Sequence, residues 1–272
     1  MALQHRTGWD PHFLQRSPWL WPLAHAVGAL PVAAHFPQLA TLDALYQALP
    51  RPQPAPPLCF QADQRRKRTR TPVPFCQRYD SRIVEAAEVP TRPNNWHDTL
   101  NALCFATWPN AKLALHRRQY DAARDRFSVH APQRSREEDT LTLFDEGGIL
   151  IATRTAASKA AQAALQGGLN DLLRLERQRQ LRIVPFGHAL FEHLIEGLPC
   201  PEGASLILEL DTLPHAPQML HGAIDAQLAR LFQDKRHFRS PQETTGLQLG
   251  APPAAPPPSD PTQLQGPLKR MT

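Results

Sequence analysis

Three short stretches, NNWHDTLN (residues 94–101), FDEGG (144–148) and GHALFE (187–192), set ionisable side chains beside apolar runs. In the first, Asn95 is a good helix N-cap, with Asp98 three residues later where its carboxylate can reach back to the cap. His97 and Asn101 are four apart and share a face of the helix they open. In the third, His188 and Glu192 lie one turn apart where a strand gives way to a helix, the position that ligands favour in α/β folds. In the second, Asp145 and Glu146 precede two glycines and read as the acidic start of a turn.

These are the side chains of divalent-metal sites, and His97, Asp98, Asp145, Glu146, His188 and Glu192 form the candidate ligand set. A metal held by some of them would acidify a bound water or polarise a phosphoryl or acyl oxygen. That chemistry describes a metal-assisted hydrolase acting on a phosphoester or another anionic small molecule. His97, Asp98, His188 and Glu192 are then the catalytic candidates, and Asn95 and Asn101 at the helix start would orient the anion. The competing reading is a non-catalytic binding or scaffold protein, in which the same residues are caps and a buried hydrogen-bond network. No nucleophile elbow, P-loop or dinucleotide fingerprint frames either glycine pair.

The elements around these stretches alternate. An apolar helix runs from about Trp96 to Trp108, and another begins at Pro109. EEDTLTLF reads as a helix, DEGG as a turn, ILIAT as a buried strand, and the following Ala/Leu-rich helical region breaks at Gly167-Gly168. LRIVPF and SLILELD read as strands, with GHALFEHLIEG and APQMLHGAIDAQLARLF as helices. The stretch FCQRYDSRIVEAAEVPTR reads as extended chain that Pro90 prevents from pairing further. The expected fold is α/β, a helix-rich single domain over residues 9–240 around a small mixed or parallel sheet. Parallel pairing through crossovers is favoured.

Composition limits the rest. Prolines crowd residues 50–57 and the C-terminal stretch, so residues 50–74 are expected as an exposed Pro/Arg-rich loop and 241–272 as a disordered tail. The net charge is +5, and five cations sit within QRRKRTR, leaving 5 − 5 = 0 for the remaining chain. A general nucleic-acid binder carries basic residues over a whole face. Contact with nucleic acid is therefore expected only weakly, through residues 64–70. The four cysteines are far apart and suit a reducing cytoplasm. No run reaches membrane-spanning length, and Pro22, His25 and Pro31 interrupt the apolar stretch WLWPLAHAVGALPVAAH.

The blocks WDPHFLQRSPWLWPLA, TRPNNWHDTLNALCFATWPNAKLALHRRQ, RSREEDTLTLFDEGG and FGHALFEHLI, in this order, resemble a bacterial family known as domain of unknown function 3025. The resemblance spans roughly residues 9–200, and FQDKRHFRS is similar to the family's F-x-D-x-x-x-F-R ending. It implies a cytoplasmic bacterial protein and carries no catalytic role with it.

Overall fold

The computed structural model describes residues 8–50, 55–63, 73–128, 133–197 and 201–250. Two 3-10 turns, Phe13–Arg16 and Pro18–Leu23, lead into α1 (Ala24–Gly28) and α2 (Leu39–Ala48). Next come β1 (Cys59–Ala62), α3 (Tyr79–Ala86) and β2 (Glu88–Thr91), then α4 (Trp96–Thr107), α5 (Pro109–Ser128) and α6 (Arg136–Gly147). The rest of the fold is β3 (Gly148–Arg154), α7 (Ser158–Gly167), α8 (Leu169–Arg177), β4 (Leu181–Pro185), α9 (His188–Glu196), β5 (Glu202–Leu210), α10 (Pro217–Gln233) and β6 (Thr245–Gln248).

The result is helix-rich α/β, with a two-stranded parallel sheet (β1–β2) and a four-stranded mixed sheet ordered β4-β3-β5-β6. Only β3 and β5 pair in parallel in the larger sheet. β4 and β6 run antiparallel to their neighbours. The expectation of parallel pairing thus holds at the centre and fails at both edges. β3 is the spine, buried from Gly148 to Thr153, and α6 and α7 pack against it.

Four local readings change. Residues 79–86 form a helix rather than extended chain: Ile83 and Ser81 face inward and Ala87 stops the turn in the left-handed region, at φ 57°. Ile83-Val84 suggests a strand by propensity, and packing against α5 overrides it. Pro90 does sit in a strand, which its missing N–H allows because a two-stranded sheet has only edges. Inside the expected 50–74 loop, β1 is paired, with Leu58 and Phe60 buried, while residues 51–54 and 64–72, including the basic heptapeptide, lie outside the described residues. Inside the expected tail, a 3-10 turn (Pro241–Glu243) and β6 extend the fold, and Leu247 and Leu249 are buried. The tail from 251 onward lies outside the described residues.

Buried polar groups tie the helices together. Asp225 of α10 accepts from the backbone N–H groups of Asn110 (3.3 Å) and Ala111 (2.8 Å), filling the open start of α5. Arg118 of α5, 5% exposed, donates to the carbonyls of Phe232, Asp234 and His237 and so fixes the FQDKRHFRS turn after α10. Ser135 and Glu138 form a reciprocal capping box that starts α6.

His221 of α10 is buried, stacked on Trp21 at 5.5 Å, and its Nε2 has no hydrogen-bond partner among the described residues. Burial pushes its pKa down to about 4, aided by the charges of His25 and Arg182. The unfolded chain therefore binds a proton here first, near pH 6.5. Stability from this group is complete above that pH and is lost as pH falls from about 6.5 towards 4, by up to about 1.4 kcal/mol per unit. Urea denaturation at pH 7, 6 and 5 should show a falling midpoint, and His221→Phe should flatten that fall.

Candidate metal centre

Three helix ends meet at one point. His97 comes from the first turn of α4, Glu146 from the last turn of α6, and His188 is the first residue of α9. His97 Nε2 lies 3.1 Å from His188 Nε2 and 3.4 Å from Glu146 Oε2, and the third side of the triangle, His188 Nε2 to Glu146 Oε2, is 3.3 Å. Ligand atoms about 2.0–2.1 Å from a tetrahedral ion lie about 3.3–3.4 Å from each other. The triangle has the dimensions of one face of such a site.

The other ring nitrogens decide what occupies that face. His188 Nδ1 lies 2.9 Å from the carbonyl oxygen of Asp145, which can only accept, so this nitrogen carries the hydrogen. His97 Nδ1 lies 3.0 Å from Asp98 Oδ1 and carries its hydrogen for the same reason. Both neutral rings then aim Nε2 lone pairs at the point that Glu146 Oε2 also faces. Three acceptors at this range need a cation between them, a proton or a metal. An imidazole held from behind by a carboxylate or carbonyl is the usual support of a metal-binding histidine.

The protonic alternative is visible in the ionisation of the two rings. Hydrogen bonds to Asp98 and then Glu146 raise His97 to about 9, whereas burial takes His188 down to about 4. In the absence of a metal one proton resides on His97 and is shared with its two neighbours. Burial acts upward on Glu146, but its hydrogen bond to His97 outweighs this and leaves it below the usual range.

Asp98 and Asp145 stand behind the triangle. Arg92 clamps Asp98 through Nε (2.9 Å), a terminal nitrogen (2.6 Å) and its backbone N–H (2.7 Å). Burial alone would raise Asp98, but these bonds and His97 hold it well below the carboxylate range. Asp145 is buried and takes a hydrogen bond from the Nζ of Lys112, itself 1% exposed and set over the Phe105 ring at 4.8 Å. Against the upward push of burial, the Lys112 charge keeps Asp145 ionised.

The remaining candidates have other places. Asn95 Oδ1 accepts from the N–H of Asp98 and caps α4, and Asn101 Nδ2 donates to the Tyr79 hydroxyl at 2.7 Å. Asn101 thus spends its amide nitrogen on Tyr79, whereas Asn95 is engaged as a cap through its oxygen alone. Glu192 is half-buried on α9 and outside the three-residue group; its charge acts on Arg92. The expected DEGG turn is absent, because α6 continues to Gly147 and β3 begins at the next residue. Lys112 and Arg92 were not among the candidates. Lys112 and His116 fall four apart on an α5 face that also carries Ala111 and Leu115, and a lysine on such a face was the available signal.

Glycine at 187 is what lets α9 arrive here. A Cβ on it would lie 2.3 Å from the Glu146 carbonyl oxygen and 2.5 Å from the Gly147 nitrogen. The triangle opens onto a cleft of about 830 Å³ that also reaches Tyr79, Asp80, His116 and several arginines.

A family model described as protein of unknown function (DUF3025) matches residues 67–259. The chain belongs to that family. The matched DUF3025 span includes His97, Glu146 and His188, and it runs beyond Leu210 through FQDKRHFRS. No curated protein and no solved structure matches the chain. Among the described residues, no helix is long and apolar enough to cross a membrane.

Gly187→Ala should push the start of α9 away from Glu146. Urea denaturation should show a loss of about 1–3 kcal/mol, as for other overpacked sites. If zinc raises the melting temperature of the wild type, this variant should lose that rise, since His188 no longer reaches His97 and Glu146.

Proposed function

We propose that this protein is a metal-assisted hydrolase of a phosphoester or another anionic substrate, with His97, Glu146 and His188 as the protein ligands. The observation that carries this reading is the triangle of ligand atoms, 3.1–3.4 Å on a side, with both Nδ1 atoms already engaged. Two histidines and one carboxylate leave a fourth position open, as catalytic rather than structural sites do. A cation there would acidify a water or polarise the oxygen of a scissile phosphoryl or acyl group. The chain's own contribution is rigid support: Asp98 and the Asp145 carbonyl fix the two rings, and Lys112 neutralises the buried Asp145 carboxylate.

The second reading, a structural cluster without metal or catalysis, is favoured by the raised pKa of His97, since a shared proton also satisfies the three acceptors. The two diverge on chelation. After chelation, a bound divalent ion at about 100 times its dissociation constant adds roughly 2.7 kcal/mol, raising the melting temperature by roughly 5–10 °C. That rise should vanish in His188→Ala and Glu146→Gln. It should need roughly 10- to 100-fold more metal in Asp98→Asn, which loses the support behind His97. A metal-dependent hydrolysis of phosphoesters or esters, lost in the same variants, completes the expected result. If no divalent ion shifts the wild type and His188→Ala only melts earlier, the hydrolase reading is wrong and the cluster is structural.

A further inference from the structure

The cleft has a second polar end, at the start of α3. Helix N-caps are normally Ser, Thr, Asn or Asp. Here the cap is Arg78, and among the described residues no side chain caps the helix. Four other arginines line the cleft, and each pairs with a carboxylate: Arg82 with Asp63 and Glu88, Arg92 with Asp98, Arg126 with Glu138, and Arg134 with Asp139. Arg78 has no carboxylate partner among the described residues. Its guanidinium lies over the Phe127 ring at 4.1 Å, and its buried Nε makes no hydrogen bond among the described residues. Ser81, 1% exposed, lines the same cleft, and its hydroxyl is also without a partner among the described residues.

A guanidinium, a hydroxyl and the first-turn N–H groups of α3 are thus donors gathered at one helix start. The nearby negative charges are already engaged. Asp80 lies 2.9 Å from His116 Nδ1, and Glu138 takes Arg126 and the Ser135 N–H. Burial and the neighbouring charge of Arg126 both disfavour the Arg78 cation, a strain that an anion would relieve.

Glu138, beside this end, and Glu146, at the metal end, are eight residues apart on α6, roughly 12 Å along its axis. We propose that Arg78 and Ser81 bind a second, non-reacting anionic group of the substrate, a phosphate or carboxylate held in the same cleft but away from the bond that is cleaved. This specificity site rests on the hydrolase reading for its purpose but not for its binding chemistry. The substrate class it defines is an elongated molecule with an oxyanion at each end.

Titration calorimetry on the full chain, after chelation and again with zinc added, tests this with inorganic phosphate and succinate as probes. Phosphate or succinate should bind the chelated protein, and whichever binds more tightly identifies the group. Arg78→Gln should weaken that binding roughly tenfold or more, and Ser81→Ala should weaken it less. Unchanged circular dichroism shows that both variants are folded, and any zinc affinity of the wild type should persist in them. Arg78→Gln should also leave the melting temperature equal or higher, whereas a structural arginine would lower it. Equal probe binding in wild type and Arg78→Gln, or none in the chelated wild type, overturns the proposal even if zinc binds. Arg78-dependent binding without any zinc binding would uphold the anion site while removing the hydrolase reading.

Discussion

Asp145 is the residue on which the arrangement depends, because it uses both of its acceptors at once. Its carboxylate takes the ammonium of Lys112 from α5, and its carbonyl takes the Nδ1–H of His188 from α9. A buried lysine without an anion is costly, and so is a buried carboxylate without a cation. Each therefore requires the other, and the pair locks α5 to α6 in one register. With α6 held, the next residue, Glu146, and the ring of His188 can only meet where α4 delivers His97. The buried ion pair is weak evidence for overall stability, but it accounts for the specificity of this geometry.

A metal-like constellation built this way contains few residues that do the chemistry and many that support it. Three side chains reach the shared point. Behind them stand Asp98 and Arg92 on one side, and Asp145 and Lys112 on the other. Around the wider cleft, His116, Asp80 and the Gln119 amide continue the same polar layer beneath α3. This buried polarity on one face of α5 marks the cleft as a costly region of the fold.

Much of this was legible in the sequence, for definable reasons. The start of α4 at Trp96 follows from the Asn95 cap, and the strand-to-helix junction before His188 follows from LRIVPF and GHALFEH. Those two signals brought out His97 and His188, and the acidic pair brought out Glu146. What was not legible depends on close approach. The glycines at 147 and 148 look like a turn, yet Gly148 sits where a Cβ would strike the Phe144 carbonyl at 2.4 Å. Glu192 has the same helical spacing from His188 as a second ligand would, but the carboxylate that meets the two histidines comes from another helix. The role of Lys112 rests on Asp145, 33 residues away, and no local pattern reports such a pairing.

The absence of a loop between α6 and β3 has a further consequence. Glu146 is two residues from the central strand, so its position is set by the sheet and cannot relax independently. If the proposed cation binds there, a frame so stiff, offering two nitrogens and one oxygen, would discriminate by shape. Calcium asks for six to eight oxygens in an adaptable cage, and magnesium keeps most of its water in a strict octahedron. A small ion content with three protein ligands and at home with imidazole fits the frame as it stands, and the chain would choose among ions before it ever chose among substrates.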